Sequence, residues 1–98
     1  MTEALLDTVI HAPNRLRICA LLTPLQEAEF QVLRDELGVS DSVLSKHLKQ
    51  LEEAGYVAFR KGVVNGRQRM WAGLTEPGRA AFSGHVKALN QLASVDEH

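Results

Sequence analysis

The sequence predicts an α+β fold that is mostly helical. Apolar residues recur at helical spacing in several segments, and proline or glycine separates these segments. One segment after residue 55 instead alternates apolar and polar residues around an Asn-Gly pair, which is the pattern of a β-hairpin. With 98 residues, the chain is long enough for one modest hydrophobic core and too short for two. We therefore expect a single domain over 1–98.

The N-terminal third predicts two consecutive helices and a very short strand. Residues 2–11 have the spacing of a short helix, which ends before Pro13 because proline disfavours helical backbone in the residue preceding it. Pro13 then opens a second helix over about 14–23, since a proline in the first turn loses no hydrogen bond. This second helix is apolar on nearly all sides, so we expect it at the centre of the core. The strand is expected near 28–30.

Two further helices are predicted on either side of a glycine turn. The first ends at Leu37, and Gly38 supplies a turn residue that accepts positive φ. Ser40 is a good N-cap for the second helix, which we expect over 41–54. Apolar residues mark the inner faces: Phe30, Leu33 and Leu37 on the first helix, and Leu44, Leu48 and Leu51 on the second. Two helices joined by so short a turn form a helix-turn-helix, here about 29–54.

Residues 57–74 predict a hairpin with two unlike faces. Asn65-Gly66 favours a type I′ turn, because both of its central positions need positive φ. With these residues at the turn, Arg60 faces Trp71, and we expect the indole to support the guanidinium by stacking. One face is apolar, with Val57, Phe59, Met70, Ala72 and Leu74, and the other carries Arg60, Arg67, Arg69 and Trp71.

A last helix is predicted over 76–93, with Thr75 as its cap. A narrow apolar seam runs along it, formed by Phe82, Val86, Leu89 and Ala93, with His85 and Leu92 at its sides. Gly78 and Gly84 each weaken this helix by roughly 1 kcal/mol relative to alanine. We therefore expect the helix to depend on packing against another surface.

Charge is unevenly distributed along the chain, although the net charge is only −1. Residues 1–45 carry three basic and seven acidic side chains, whereas residues 46–79 carry seven basic and three acidic ones. This asymmetry hints at a polyanionic partner. The outer face of helix 41–54 is the part of the charge pattern that most favours a nucleic-acid partner. Small hydroxyl and basic side chains occupy its N-terminal half, and carboxylates come only at its C-terminal end. A helix that enters the DNA major groove needs this polarity.

With these features the chain resembles the winged helix-turn-helix transcription regulators of the MarR and ArsR kind. The resemblance covers roughly 12–90 and is most specific in two pieces, SxHLxxLxxAGYV at 45–57 and LTxxGR at 74–79. It implies that helix 41–54 is the recognition helix and that hairpin 57–74 is the wing. It also implies a homodimer, joined through helices 2–11 and 76–93, that binds a pseudo-palindromic operator in double-stranded DNA, with repression the expected outcome.

The resemblance assigns roles to individual side chains of this sequence. The expected DNA contacts are Ser42, Ser45, Lys46, Lys49, Arg60, Asn65, Arg67 and Arg69. The expected dimer contacts are Leu5, Leu6, Val9, Phe82, Val86, Leu89 and Leu92. His47 is interpreted as a structural or phosphate-contacting imidazole.

Other classes of function find less support in the sequence. No glycine-rich phosphate loop, nucleophile elbow or spaced Cys-His pair is present, so we predict no catalysis. The single Cys19 cannot form the paired-cysteine metal site of ArsR relatives. The alternative metal site would be a zinc site formed by His85, Asp96 and His98. We expect no metal or cofactor. Nothing in the sequence supports a small-molecule effector, although MarR relatives can hold one in the dimer cleft.

The expected compartment is the cytoplasm. Cys19 stands alone in an apolar helix, which indicates an inert buried thiol in a reducing environment. The chain has no apolar run of membrane-spanning length and no basic start typical of a secretory signal. The alternative to a DNA-binding regulator is a winged-helix module for protein interaction, which would have little reason to keep a cationic wing.

Overall fold

Four helices and a three-stranded antiparallel sheet make up residues 6–95, the part of the chain that the computed structural model describes. In chain order they are α1 (Pro13–Leu22), β1 (Ala28–Glu29), α2 (Phe30–Leu37), α3 (Asp41–Glu53), β2 (Val57–Val64), β3 (Arg67–Leu74) and α4 (Glu76–Val95). The strand order in the sheet is β1-β3-β2. The predicted α+β, mostly helical fold with a β-hairpin is confirmed.

Helix α1 is the central helix, as the sequence predicts. Pro13 lies in its first turn, and Ile18, Cys19 and Leu22 have no exposed surface. The inner leucines of α2 and α3 pack around it, together with Val57 and Ala72 of the sheet. Burial of this apolar surface is the main stabilising contribution, and it fixes which faces of α2 and α3 point to solvent.

The turn between α2 and α3 has the predicted geometry. Gly38 caps α2 in the left-handed region at φ 67°, where a Cβ would be strained. The Ser40 hydroxyl then accepts a hydrogen bond from the Val43 amide at 3.2 Å. These two local features hold the helix-turn-helix at its joint.

The hairpin has the register that its turn residues predict. Asn65 and Gly66 adopt φ 53° and φ 77°, and Arg60 is opposite Trp71. The short strand β1 adds to the free edge of β3, with Ala28 opposite Ala72. This addition ties the base of the hairpin to the start of α2.

The predicted helix over 2–11 is wrong in the described part of the chain. Residues 8–11 form a turn, in which the Asp7 carboxylate accepts hydrogen bonds from the amides of Val9 at 2.9 Å and Ile10 at 3.0 Å. Ala12 is already extended at ψ 135°, as a residue before proline prefers, so only one turn fits between Asp7 and Pro13. Residues 2–5, including the expected dimer contact Leu5, lie outside the described residues.

A partly buried polar network joins this turn to Tyr56, which follows α3, and to α4. The Asp7 carboxylate accepts a hydrogen bond from the Tyr56 hydroxyl at 2.6 Å, and the Asp7 amide donates to Nδ1 of His85 at 2.9 Å. Nε2 of the fully buried His85 lies 3.3 Å from Nδ1 of His11. Since Nδ1 of His85 accepts from the Asp7 amide, the neutral imidazole carries its proton on Nε2 and donates it to His11.

Acidification is expected to lower the free energy of unfolding through this network. Burial, and next the charge of His11, hold the pKa of His85 below its ordinary value of 6.5, although Asp7 acts in the opposite direction. The folded state therefore binds fewer protons than the unfolded chain, so this contribution is complete above about pH 6.5 and is lost as the pH falls below it. Urea unfolding at about pH 7.5 and about pH 5.5 measures the loss.

The matched variant for this prediction is His85→Asn. Asparagine offers an acceptor to the Asp7 amide but does not titrate, so we expect a smaller loss of stability over the same pH interval. Some loss remains in the variant, because burial and the nearby charges of Arg15 and Lys46 also lower the pKa of His47. Equal losses of unfolding free energy in the wild type and in His85→Asn would contradict the assignment of this pH dependence to His85.

Candidate nucleic-acid interface

The outer face of α3 is exposed along its length. Burial of Leu44, Leu48 and Leu51 leaves the opposite side of this helix in solvent. That side carries the predicted contacts Ser42, Ser45, Lys46 and Lys49. Neither lysine forms an ion pair within residues 6–95. The helix therefore presents two unneutralised ammonium groups.

His47 contacts the guanidinium of Arg15, a residue that the sequence analysis did not single out. A guanidinium nitrogen of Arg15 lies 3.3 Å from Nδ1 of His47 and donates to the Gln50 side chain at 2.6 Å. Arg15 also donates to the backbone carbonyl of Val9. Because burial and then the charges of Arg15 and Lys46 lower the pKa of His47, the imidazole is neutral near pH 7. Of the two roles proposed for His47, this environment favours the structural one.

Arg60 lies on the wing, but its guanidinium is paired with side chains of the same chain. Its Nε is 3.1 Å and 3.0 Å from the two carboxylate oxygens of Glu27, and its guanidinium carbon lies 4.1 Å from the centre of the Trp71 ring. The predicted stacking of Trp71 on Arg60 is confirmed. Gly62 leaves room for the indole, because a Cβ there would stand 2.9 Å from the Trp71 ring. This position therefore has a packing role that sequence reasoning missed.

The expected fully basic wing face needs correction. Arg69 lies 3.0 Å from a Glu29 carboxylate oxygen and 3.3 Å from the Gln31 side-chain oxygen. Two of the three arginines on this face are thus paired, because β1 adds to β3 and brings Glu27 and Glu29 beside them. Arg67, at the wing tip beside Asn65, is exposed and has no ion-pair partner within residues 6–95.

This difference between wing arginines predicts unequal effects on DNA binding. Arg67→Ala is expected to lower the log–log salt slope of duplex binding by about one, because an unpaired guanidinium exchanges with counterions at a phosphate. Arg60→Ala is expected to leave the slope unchanged, since Glu27 already neutralises that group. Fluorescence anisotropy with one labelled duplex over a salt series measures both slopes. Equal reductions would show that Arg60 leaves Glu27 when DNA binds.

An open groove joins the helix-turn-helix to the wing. We call it the α2–β3 groove; its volume is about 350 Å³. Its lining residues are Glu29, Phe30, Gln31, Arg34, Asp41, Ser45, Gln68, Arg69 and Met70. Ser45 of α3 and Arg69 of the hairpin therefore border one opening. Arg34, which sequence reasoning missed, lies 2.8 Å from Asp41 and 3.3 Å from Asp35.

The seam of α4 is the candidate dimer surface. Gly78, His85 and Ala88 are the α4 residues that are buried against the rest of the protomer. Phe82 and Val86 are only half-buried and line a second open groove of about 440 Å³, and Leu92 is 56% exposed near the end of the helix. The remaining predicted contacts differ in burial: Leu89 is half-buried, Leu6 is 37% exposed, and Val9 packs partly against the protomer's own core.

Cys19 is buried in α1 and chemically quiet. Burial, and next the charge of Asp7, raise the pKa of its thiol to about 11, so the reactive thiolate is scarce near pH 7. Within residues 6–95 no group of three or more His, Cys, Asp or Glu side chains is arranged to hold a metal ion. Asp96 and His98 of the zinc hypothesis lie outside the described residues.

Comparison with known proteins identifies the family. A family model described as a winged helix DNA-binding domain matches residues 14–93. The chain belongs to this winged-helix family. It is also 39% identical over 85 residues to an uncharacterised protein of Methanocaldococcus jannaschii, an alignment that covers 87% of this chain and 92% of that one. The matched family is described as a DNA-binding domain and not as an enzyme class, in agreement with the sequence analysis.

Solved structures share the winged-helix fold. A transcriptional regulator homologue from Pyrococcus horikoshii superposes with a TM-score of 0.86 at 24% identity, covering 94% of this chain and 91% of that chain. A zinc-responsive MarR-family member from Lactococcus lactis superposes with a TM-score of 0.67 at 19% identity, covering 99% and 66%. The predicted winged-helix fold is confirmed. In the described part of this winged-helix protein, no helix has the length and apolar character needed to cross a bilayer.

Proposed function

We propose that this winged-helix protein is a homodimeric transcriptional regulator that binds a pseudo-palindromic operator in double-stranded DNA. The observation that carries the proposal is the α2–β3 groove, where Ser45 of α3 and Arg69 of the wing border one opening. A duplex lying along this opening meets both elements together. We propose that the protein acts in the cytoplasm and represses transcription by occupying promoter DNA.

In this proposal α3 enters the major groove and reads base edges. The exposed hydroxyls of Ser42 and Ser45 can donate to or accept from base edges, while Lys46 and Lys49 contact phosphate or a base edge. Asn65 and Arg67 at the wing tip extend toward the adjacent minor groove or its phosphates. An arginine there senses groove width, which depends on DNA sequence.

The homodimer is proposed to form through α4. The half-buried Phe82 and Val86 and the exposed Leu92 give this helix an apolar strip that residues 6–95 of its own protomer cover only in part. A two-fold dimer would place two recognition helices on half-sites about 34–36 Å apart. No small-molecule effector is part of the proposal.

One observation favours a second candidate function. Because Glu27 and Glu29 neutralise two wing arginines, the wing has a weaker positive field than the sequence predicts. A winged-helix module that binds another protein would tolerate such a face. Three basic side chains that form no ion pair within residues 6–95 favour DNA over this alternative: Lys46, Lys49 and Arg67.

The test is footprinting of the purified protein on genomic DNA, followed by a salt series on the selected duplex. A two-fold symmetric footprint with steeply salt-dependent binding supports the proposal. Sedimentation equilibrium of the free protein tests the dimer separately. Absence of binding to any duplex at low salt, or an association that salt does not weaken, would favour the protein-interaction module.

A further inference from the structure

Both arginines that line the α2–β3 groove are already paired with carboxylates of the same chain. Arg69 lies 3.0 Å from Glu29, and Arg34 lies 2.8 Å from Asp41. We propose that these carboxylates compete with DNA phosphate for the two guanidinium groups and thereby limit the affinity for duplex DNA. This inference rests on the proposed DNA-binding function and concerns the regulation of that same surface.

The position of the two ion pairs makes a phosphate the natural competitor. The groove lies between the wing and the N-terminal end of α3, and its other polar lining is uncharged: Gln31, Ser45 and Gln68. A duplex held by α3 and the wing brings its backbone to this opening. A phosphate offers oxygens to a guanidinium in the same forked geometry that a carboxylate does.

The ion pairs are accessible enough to be exchanged. The side chains of Arg69 and Glu29 are 32% and 29% exposed, and those of Arg34 and Asp41 are 31% and 67% exposed. Pairs in such positions contribute little to folding stability, so breaking them for a phosphate costs little. Gln31 lies 3.3 Å from the Arg69 guanidinium and keeps it at the groove when the carboxylate leaves.

A carboxylate that has been displaced still remains beside the phosphate. Its negative charge repels the DNA backbone, and it recovers the arginine whenever the duplex dissociates. Because phosphate contacts carry no base identity, this penalty falls on every duplex alike. The carboxylates therefore set a ceiling on overall affinity without altering which sequence is preferred.

The deciding experiment compares Glu29→Gln with Glu27→Gln. Both variants lose one negative charge and break one arginine pair on the sheet, but Glu27 pairs with Arg60 and does not line the groove. We expect Glu29→Gln to bind the operator about three- to fivefold more tightly, with a salt slope steeper by up to about one. We expect Glu27→Gln to stay within about twofold of the wild type.

Two further variants make the outcomes decisive. Asp41→Asn should tighten binding in the same direction as Glu29→Gln, and Arg69→Ala should weaken it. If Glu29→Gln instead weakens binding as much as Arg69→Ala does, the carboxylate positions the arginine and the proposal is overturned. If Glu27→Gln and Glu29→Gln raise the affinity equally, the change in net charge explains the gain, and the proposal is overturned as well.

The wild-type protein separates these outcomes from a failure of the proposed function. Salt-dependent duplex binding by the wild type, with unchanged affinity in Glu29→Gln and Asp41→Asn, overturns the competition alone. Absence of duplex binding by the wild type at low salt overturns both the DNA-binding function and this inference. Thermal melting of each variant confirms that it is folded before its affinity is compared.

Discussion

Replacing Gly78 with alanine is expected to lower the free energy of unfolding by about 2–3 kcal/mol. Helix propensity alone predicts the opposite sign, because alanine favours a helix over glycine by about 1 kcal/mol. The contact between Gly78 and the backbone of Tyr56 decides the sign of the stability change. A Cβ at Gly78 would stand 2.1 Å from the backbone carbonyl oxygen of Tyr56 and 2.8 Å from its carbon. Backbone atoms at this distance cannot rotate away as a flexible side chain can.

The close approach at Gly78 belongs to a network that holds the start of α4 against Gly55 and Tyr56, which follow α3. The Thr75 hydroxyl accepts from the Gly78 amide at 3.0 Å and donates to the Gly55 carbonyl at 2.6 Å, while the Thr75 amide donates to Tyr56 at 3.0 Å. Moving α4 away to admit a methyl group would lengthen these hydrogen bonds together. The cost therefore exceeds that of a single local clash.

Gly84 of the same helix provides the matched control. Within residues 6–95, a Cβ there would meet no atom within 4 Å beyond its own stretch of helix, so Gly84→Ala is expected to raise the free energy of unfolding by about 0.5–1 kcal/mol. Urea unfolding of both variants and the wild type under one condition measures the two changes. A stabilised Gly78→Ala protein would contradict the close packing of α4 on Tyr56.

The largest expected effect on DNA binding comes from reversing the charge of Lys46. Lys46→Glu is expected to weaken duplex binding by at least about tenfold and to lower the salt slope by about one or more. The exposed ammonium group would be replaced by a carboxylate that the phosphate backbone repels. Because Lys46 forms no ion pair within residues 6–95, folding stability should change by less than about 0.5 kcal/mol.

Lys87→Glu is the control for this second prediction. Lys87 is exposed on α4, so the substitution makes the same change in net charge far along the chain from α3. Anisotropy titrations with a single duplex compare both variants with the wild type. An equal loss of affinity in Lys87→Glu would mean that net charge, and not the α3 surface, governs the binding.

The elements that sequence reasoning predicted correctly are those built from neighbouring residues. The Asn65-Gly66 turn dictates the hairpin register because its backbone angles decide which residues face each other. The Ser40 cap and the Gly38 turn define the joint between α2 and α3 in the same local way. The helix expected over 2–11 is wrong for residues 6–11, because a spacing argument does not count how many turns fit between Asp7 and Pro13.

From its sequence alone the chain determined its helices, its hairpin and the residues on each face, because those features depend on backbone preference and on the period of apolar residues. Only the tertiary structure decided the charge of the wing and the need for glycine at position 78. Glu29 meets Arg69 because β1 adds to β3, and Gly78 meets Tyr56 because the start of α4 packs on the loop that follows α3. Both contacts join residues far apart in the chain, and local preference carries no information about such distances.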